Sequence, residues 1–580
     1  MIFKYPQNRQ QIQMHQARRS ITLDEKEIIK EILSVYDEIE IIDEDDDIIF
    51  FKLKEKEYGL WLFSQSDRTN SPIVLVKNDA IYSYPHFLTL DIPLDKDKKD
   101  KYRLICLRES DSIIKFLQSY EEKIVDTIER LLHLLSLTPL EIEKEFQKEF
   151  LYYWNDIAKN TTPIKLYIGK DRVFQKMNAY INNLNSELRI VANGIKLNDK
   201  EKEQDGKKLW EFQPEIPFYY IPIDDNRRII PPMRDNVWTQ ANIMQIIKGK
   251  RFGSISHEVF EKIKQEKIKS KKAGLVFEMN VDGNRINFCC LIVFKDAKKE
   301  TLLYKLENAI TEIKIVKSKR MDFCFLCNQI GNDTSIIAKK VLLIGAGSLG
   351  SYIANELVKA GICNLTIYDG DKLEDENTLR HTLKGFWVGI PKANALKYEL
   401  ESIHPEVNIN AVNKDIDKSS LMHDINSYDM IIFTVGSSDV QLDLNRILSE
   451  NHFNKSVIFT WLEAGGIYSH ILVVNYSKKG CFECLYTDDS GELINNKVNQ
   501  LSDEQIDTKI IRNGCGATRV AYGTEILLRT TSVVLNTIRK VFNGELNNNT
   551  LINIEPTSVN NVGNTFVERM CHCCGNRDSQ

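Results

Sequence analysis

The feature that most limits what this chain can fold into is a glycine spacing at a junction. Residues 339–347, KKVLLIGAG, carry a buried-strand pattern into glycine, and Gly345, Gly347 and Gly350 form G-x-G-x-x-G. The following SYIANELVKAG (351–361) has helical spacing, and LTIYDGD (365–371) reads as a second strand. Strand, glycine turn, helix, strand is a βαβ opening, in which backbone N–H groups at a helix N-terminus can approach a phosphate closely. Asp369 lies 19 residues beyond Gly350, where a carboxylate at a strand end can take ribose hydroxyls. MIIFTV (430–435), SVIFTW (456–461) and HILVVNY (470–476) add strands, so a doubly wound α/β sheet is expected nearly to the C-terminus.

The glycine loop alone does not separate a dinucleotide from ATP. The residues after it do, because hydride transfer has no use for Asn377 and Arg380 in ENTLRHTL, Lys392 in GIPKANAL and Asp439 in TVGSSDVQ. Two cations can neutralise a triphosphate and its pentacoordinate transition state, and a carboxylate past a strand end can hold Mg²⁺.

The cysteines form a second pattern. Cys481 and Cys484 in CFEC, with Cys571 and Cys574 in CHCCG, make two C-x-x-C knuckles, whose four thiolates suit a closed, structural Zn²⁺ site. Cys573 and His572 are alternates, but the C-x-x-C-G spacing favours Cys574. Cys515 stands apart in RNGCGATRV, flanked by glycines and near Arg512 and Arg519, a setting that exposes a thiol and favours its thiolate. Cys106 closes the strand candidate YRLICL, where a core role is the ordinary expectation.

At 580 residues the chain has room for three to four domains at about 150 residues each. Its 77 Lys+Arg against 82 Asp+Glu leave −5, without the basic excess that phosphate-neutralising nucleic-acid binders carry. No apolar run reaches the roughly 18 residues of a membrane span, and the N-terminal sequence lacks an apolar signal core, so a cytoplasmic location is expected, with no membrane or direct nucleic-acid partner. Residues 48–64, 72–77 and 102–107 read as strands; 112–137 and 141–155 read as helices, giving an α+β unit over the first 155 or so residues. Residues 160–335 mix strands such as GLVFEMNV and NFCCLIVF with basic stretches such as KIKQEKIKSKK, read as a solvated helix face.

With GAGSLGS, YDGD, N-x-x-R-H and the following lysine in that order, residues 320–580 resemble the ubiquitin-activating and ThiF/MoeB adenylyltransferase superfamily. The resemblance implies that a protein C-terminal carboxylate attacks the α-phosphate of ATP, with Mg²⁺ present, at Gly345, Gly347, Gly350, Asp369, Asn377, Arg380, Lys392 and Asp439. It implies a homodimer in which an arginine before the glycine loop crosses the interface, a place that Arg320 occupies. It further implies that Cys515 captures the adenylate as a thioester.

The strand meander, YPH at 84–86, ICL around Cys106 and the helices beyond resemble a divergent ubiquitin-conjugating domain, in which the cysteine takes over the thioester. No HPN triplet precedes Cys106; His86 is the substitute at hand for the missing asparagine. The whole order resembles the fused activating/conjugating proteins of bacterial CBASS antiphage operons: a conjugating-like domain over 1–158, a middle α/β domain over 159–318 and a zinc-bearing adenylation domain over 319–580. In that family the activated protein is a cGAS/DncV-like nucleotidyltransferase, joined to an acceptor protein amine. The alternatives are a sulfur-carrier adenylyltransferase of the ThiF/MoeB type, a nucleotide-sensing scaffold without turnover, and a dinucleotide-dependent oxidoreductase, which leaves the knuckles and the basic pair unexplained.

Overall fold

The structure is a computed structural model that describes residues 22–45, 47–62, 71–77, 84–93, 101–107, 118–158, 161–199, 203–204, 207–224, 229–232, 237–248, 254–512, 518–520 and 522–575. The chain divides into two compact units, one of residues 1–165, 172–179 and 213–319, the other of residues 166–171, 180–212 and 320–580. Segments 166–171 and 180–212, which the sequence reading assigns to a middle domain, thus group with the C-terminal residues.

In the first unit, helix α1 (Leu23–Ser34) starts at a Thr22–Glu25 capping box that satisfies otherwise orphaned N–H groups. Strands β1 (Ile39–Asp45), β2 (Ile48–Leu53), β3 (Lys56–Trp61), β4 (Ile73–Lys77), β5 (Phe87–Pro93) and β6 (Lys101–Ile105) form an antiparallel sheet ordered β1-β2-β3-β4-β6-β5. Alternation decides the faces. Ile49, Phe51 and Leu53 pack with Ile29 and Leu33 of α1 and with Ile124, Ile128 and Leu131 of α2 (Tyr120–Ser136), while Ile48 and Phe50 join Leu75 and Tyr102 in a separate cluster. The run expected as one strand over 48–64 is a hairpin: Lys54 and Glu55 take φ 49° and 65°, a tight turn built without glycine, asparagine or proline, so composition does not betray it. The helix expected over 141–155 is two, α3 (Pro139–Lys148) and α4 (Phe150–Ile157). They part at Glu149 so that Phe150 and Trp154 bury with Trp238 and Phe288, while Phe146 packs on Tyr153.

Further along the first unit, β7 (Phe218–Pro222), β8 (Lys272–Val281), β9 (Asn284–Phe294) and β10 (Ile310–Val316) lie side by side; β7 runs parallel to β8, and the other two pairings are antiparallel. The basic stretch read as a helix face is helical only to Gln265, the end of helix His257–Gln265, because from Lys272 the chain enters β8.

The second unit holds an eight-stranded sheet. Its strands are β11 (Lys340–Ile344), β12 (Asn364–Tyr368), β13 (Asn408–Val412), β14 (Met430–Phe433), β15 (Ser456–Leu462), β16 (Ser469–Val474), β17 (Thr550–Ile554) and β18 (Val559–Gly563), ordered β13-β12-β11-β14-β15-β16-β17-β18. The first five are parallel; the last three run antiparallel. Both faces are covered, as a parallel sheet requires. Val341 and Leu343 of β11 pack with Ile353 and Leu357 of α5 (Ser348–Ala360), Leu396 of α6 (Lys392–Ile403) and Val534 of α8 (Thr524–Phe542); Leu342 and Ile344 face Leu444 and Leu448 of α7 (Ser438–Glu450). The strand order reverses at β11, between β12 and β14, and ligands of such sheets bind beyond the strand C-termini at this place. Among the described residues no helix is long and apolar enough to cross a membrane.

Candidate functional site

The glycine loop leaves β11 at that switch point. Gly345 takes φ +97°, a left-handed conformation, and its carbonyl accepts from Thr434 Oγ1 at 2.7 Å, which ties the loop to the end of β14. Gly350 lets α5 close on the turn: a Cβ there would stand 2.1 Å from Gly345 O. Gly347 caps α5 with no side-chain bond, and nothing lies within 4 Å of where its Cβ would be, so the helix N-terminus is open.

The peptide between the first two glycines is held from both sides. Ala346 N–H donates to Asp369 Oδ2 at 2.6 Å, and Ala346 O accepts from His381 Nε2 at 2.8 Å. Leu383 N–H donates to His381 Nδ1, so the proton of the neutral ring sits on Nε2. Burial pushes the His381 pKa down to about 4, which keeps that tautomer neutral. Asp369 also accepts from Asp371 N–H at 2.9 Å; burial raises its pKa, against the opposing pull of Ala346 N–H and Lys392.

Lys392, buried at the start of α6, places Nζ 2.8 Å from Asp371 Oδ2, and Asp371 is exposed enough to release it. Arg380 lies over the Tyr522 ring at 5.5 Å, with Nη1 3.4 Å from its hydroxyl. Asn377 Oδ1 accepts from Glu374 N–H, closing the turn that leads to Arg380. Asp439 stands exposed in the first turn of α7, following the strand that pairs with β11, and makes no hydrogen bond or ion pair among the described residues. Gly345, Asp369 and Lys392 therefore share one network, through Ala346 and Asp371, while Arg380, Asn377 and Asp439 stand outside it. Thr434 and Tyr522 carry no sequence signal of their own, Asp371 is visible only as the second carboxylate of YDGD, and His381 only as the last letter of N-x-x-R-H.

Arg320 occupies a different environment. It is buried, bonded to Asp322 at 2.6 Å and to Gly169 O at 2.7 Å. Close by, Glu406 accepts from Phe323 N–H, and burial pushes its carboxyl up to about 7.

The four knuckle cysteines converge. Cys481, Cys484, Cys571 and Cys574 are buried with their Sγ atoms within 4.8 Å of one another, Cys484 and Cys574 at 3.3 Å and Cys481 and Cys571 at 3.7 Å. Four thiols at this spacing, with no disulfide, fit one tetrahedral metal such as zinc. Cys573 stands outside the set of four, beside Cys481, its Sγ accepting from Asn445 Nδ2 at 3.3 Å, and His572 bonds Gly491 O. Cys515 lies outside the described residues.

In the first unit, Cys106 is half-buried one residue past β6, and its N–H donates to His86 O at 2.9 Å. His86 takes φ +67°; its Nε2 lies 3.3 Å from Glu145 and its Nδ1 3.9 Å from Glu149. The ring is thus engaged by carboxylates from the α3–α4 region.

Residues 329–573 match the model of the ThiF family, and this stretch has an α/β fold. Molybdopterin-synthase adenylyltransferase of Haemophilus influenzae is 31% identical over 110 residues, 19% of this chain and 45% of that protein. The ATP-dependent ubiquitin transferase-like protein Cap2 of Enterobacter hormaechei is 37% identical over 138 residues, 22% of each. Ubiquitin-like modifier-activating enzyme 5 of Bombyx mori is 25% identical over 213 residues, 33% of this chain and 51% of that protein. The chain thus spans about half the length of these relatives or less.

Proposed function

We propose that this protein uses ATP to adenylate a protein C-terminus, captures it as a thioester on Cys515, passes it to Cys106 and conjugates it to a target amine. The observation that carries the reading is the clamped Ala346 peptide before the bare N-terminus of α5, inside the stretch that matches the ThiF family. Such a loop presents N–H donors to phosphate. Gly345, Gly347 and Gly350 line that approach, and Asp369, whose oxygens each keep a lone pair beyond the bonds to Ala346 and Asp371, takes the ribose hydroxyls. Lys392 and Arg380 offset charge at the α-phosphate, Asn377 supports the Arg380 turn, and Asp439 is the carboxylate assigned to Mg²⁺, which supplies further charge neutralisation.

The substrate carboxylate attacks phosphorus and pyrophosphate leaves; a thiolate then attacks the acyl-adenylate carbon and AMP leaves. Splitting the transfer this way turns a poor electrophile into a reactive one. The domain division 1–158, 159–318 and 319–580, with Cys106 in a conjugating-like domain, belongs to this reading, as do the homodimer and a cGAS/DncV-like nucleotidyltransferase as the activated protein in antiphage defence. The name of the Enterobacter relative supports a ubiquitin-transferase-like role. The zinc tetrad is structural, with no open position.

A second reading, sulfur-carrier adenylyltransferase, is favoured by the Haemophilus relative. Intact-mass and non-reducing gel analysis after incubation with ATP, Mg²⁺ and a candidate nucleotidyltransferase separates the two. The relay predicts a reductant-sensitive adduct that Cys515→Ala abolishes and that Cys106→Ala traps at Cys515. Adenylation without any thiol adduct selects the sulfur-carrier reading.

A further inference from the structure

Ala346 belongs to two successive peptides, and different side chains fix them. Its N–H, in the Gly345–Ala346 peptide, donates to Asp369 Oδ2 at 2.6 Å; its carbonyl, in the Ala346–Gly347 peptide, accepts from His381 Nε2 at 2.8 Å. The His381 ring is 5% exposed and both its nitrogens are engaged, since Nδ1 accepts from Leu383 N–H at 3.0 Å. The C=O and N–H of a trans peptide point in opposite directions. With the carbonyl drawn to the buried ring, the Gly347 N–H is turned away from it, at the cap of α5, on a residue whose surroundings are open. The backbone alone does not hold that orientation. A flip of the Ala346–Gly347 peptide would carry Gly347 from φ −69° to a positive value, which glycine tolerates.

We propose that His381 is a positioning residue that aims the Gly347 N–H at a phosphate of the bound nucleotide. The inference rests on the reading that the glycine loop takes ATP, and it assigns the direction of one phosphate donor to one side chain. A donor fixed before the ligand arrives avoids the cost of ordering it on binding. A flipped peptide would instead turn a carbonyl oxygen, an acceptor, toward an anion. The mount of the ring does not depend on the bond that the ring makes. Thr382 N–H donates to Ser351 Oγ at 3.3 Å, and Ser351 Oγ donates to Ser348 O at 2.8 Å. Leu383 is buried in the same core as Leu349 and Ile353 of α5. Thr382 and Leu383 therefore keep the turn after Arg380 docked on α5 whatever stands at position 381, and loss of the His381 donor frees the Ala346–Gly347 peptide.

The test compares the binding of ATP with Mg²⁺ and of adenosine, by isothermal titration, on the full-length protein. Adenosine carries the base and ribose and no phosphate. His381→Leu, which removes the donor, should weaken ATP about tenfold or more and leave adenosine within about twofold of wild type. His381→Gln, whose amide N–H can reach the same carbonyl, should bring ATP back to within about threefold of wild type. Where His381→Leu does not fold, His381→Phe, which refills the ring volume without a donor, takes its place with the same expectations. Equal weakening of the two ligands overturns the proposal, because it reports damage to the whole site. So does a glutamine variant that binds ATP no better than the leucine variant. If the wild-type protein binds neither ligand, the nucleotide reading fails and the assignment with it; if it binds both and His381→Leu holds ATP as tightly, the His381 assignment alone fails.

Discussion

Gly347→Ala and Gly350→Ala separate the two jobs of the glycine loop. At Gly350, inside α5, alanine gains about 1 kcal/mol of helix propensity over glycine. Its Cβ, however, would stand 2.1 Å from Gly345 O and 2.6 Å from Thr434 Oγ1, and the nearer atom is backbone that cannot swing aside. Overpacking of this kind costs typically 1–3 kcal/mol, and a contact short by about 1 Å belongs at the upper end, so a net loss of about 1–2 kcal/mol is expected. At Gly347 the backbone has φ −69°, which any residue adopts, and nothing lies within 4 Å of the new Cβ. Stability should change by no more than about 0.5 kcal/mol. On the proposed function that methyl stands where a phosphate would meet the helix N-terminus, and ATP–pyrophosphate exchange should fall at least about tenfold, about 1.4 kcal/mol. Thermal unfolding and pyrophosphate exchange on both variants give a crossed pattern: one variant unstable, the other stable and inactive. Full exchange activity in Gly347→Ala, or wild-type stability in Gly350→Ala, would refute the argument.

Two further perturbations read other parts of the second unit. Metal analysis should find one zinc per chain, lost in Cys574→Ser and kept in Cys573→Ser, and chelation should expose the tail around Cys571 to protease; equal zinc loss in the two variants would break the tetrad assignment. Glu406 has its carboxyl raised from 4.5 to about 7, so between those values the folded chain holds a proton that the unfolded chain has released, and stability falls as pH rises through that window. Glu406→Gln should therefore stabilise by roughly 3 kcal/mol at most above pH 8 and by nothing near pH 4, read as urea midpoints across pH; a pH-independent effect would show that burial of the charge is not the cause.

The parts of the fold that the sequence makes legible are those where one physical rule acts alone. The β11–α5 turn is legible because Gly345 and Gly350 answer to backbone conformation and close approach, and few other residues do. The thiol tetrad is legible because two knuckles at C-x-x-C spacing have little other use, and the structure turns Cys574 into the set and Cys573 toward Asn445. The hairpin at Lys54–Glu55 is hidden, since its turn is dictated by the pairing of β2 with β3 rather than by turn residues. The task of Asp371 is hidden for a related reason: the residue stands in YDGD, but its contact with Lys392 joins residues 21 apart through folded geometry, and no periodicity encodes it. His381 stands in a motif, but its task, holding the Ala346 carbonyl, exists only once the loop has folded.

Arg320 and Arg380 show what the structure adds where sequence treats two residues alike. A cation that stabilises a developing phosphate charge must be released from its resting contacts at small cost. Arg320 is buried against Asp322 at 2.6 Å, and removing one partner of a buried ion pair costs about 3–5 kcal/mol, because the other charge is left uncompensated. Arg380 rests on Tyr522 through a 3.4 Å contact and a ring 5.5 Å away, interactions worth about 0.5–1 kcal/mol at exposed sites. The difference of several kcal/mol exceeds what one charge-assisted hydrogen bond to a phosphate returns, about 1.5–3 kcal/mol. Arg320 is therefore committed to the fold around Gly169 and Asp322, and of the two it is Arg380 whose resting contacts suit the nucleotide role proposed for it.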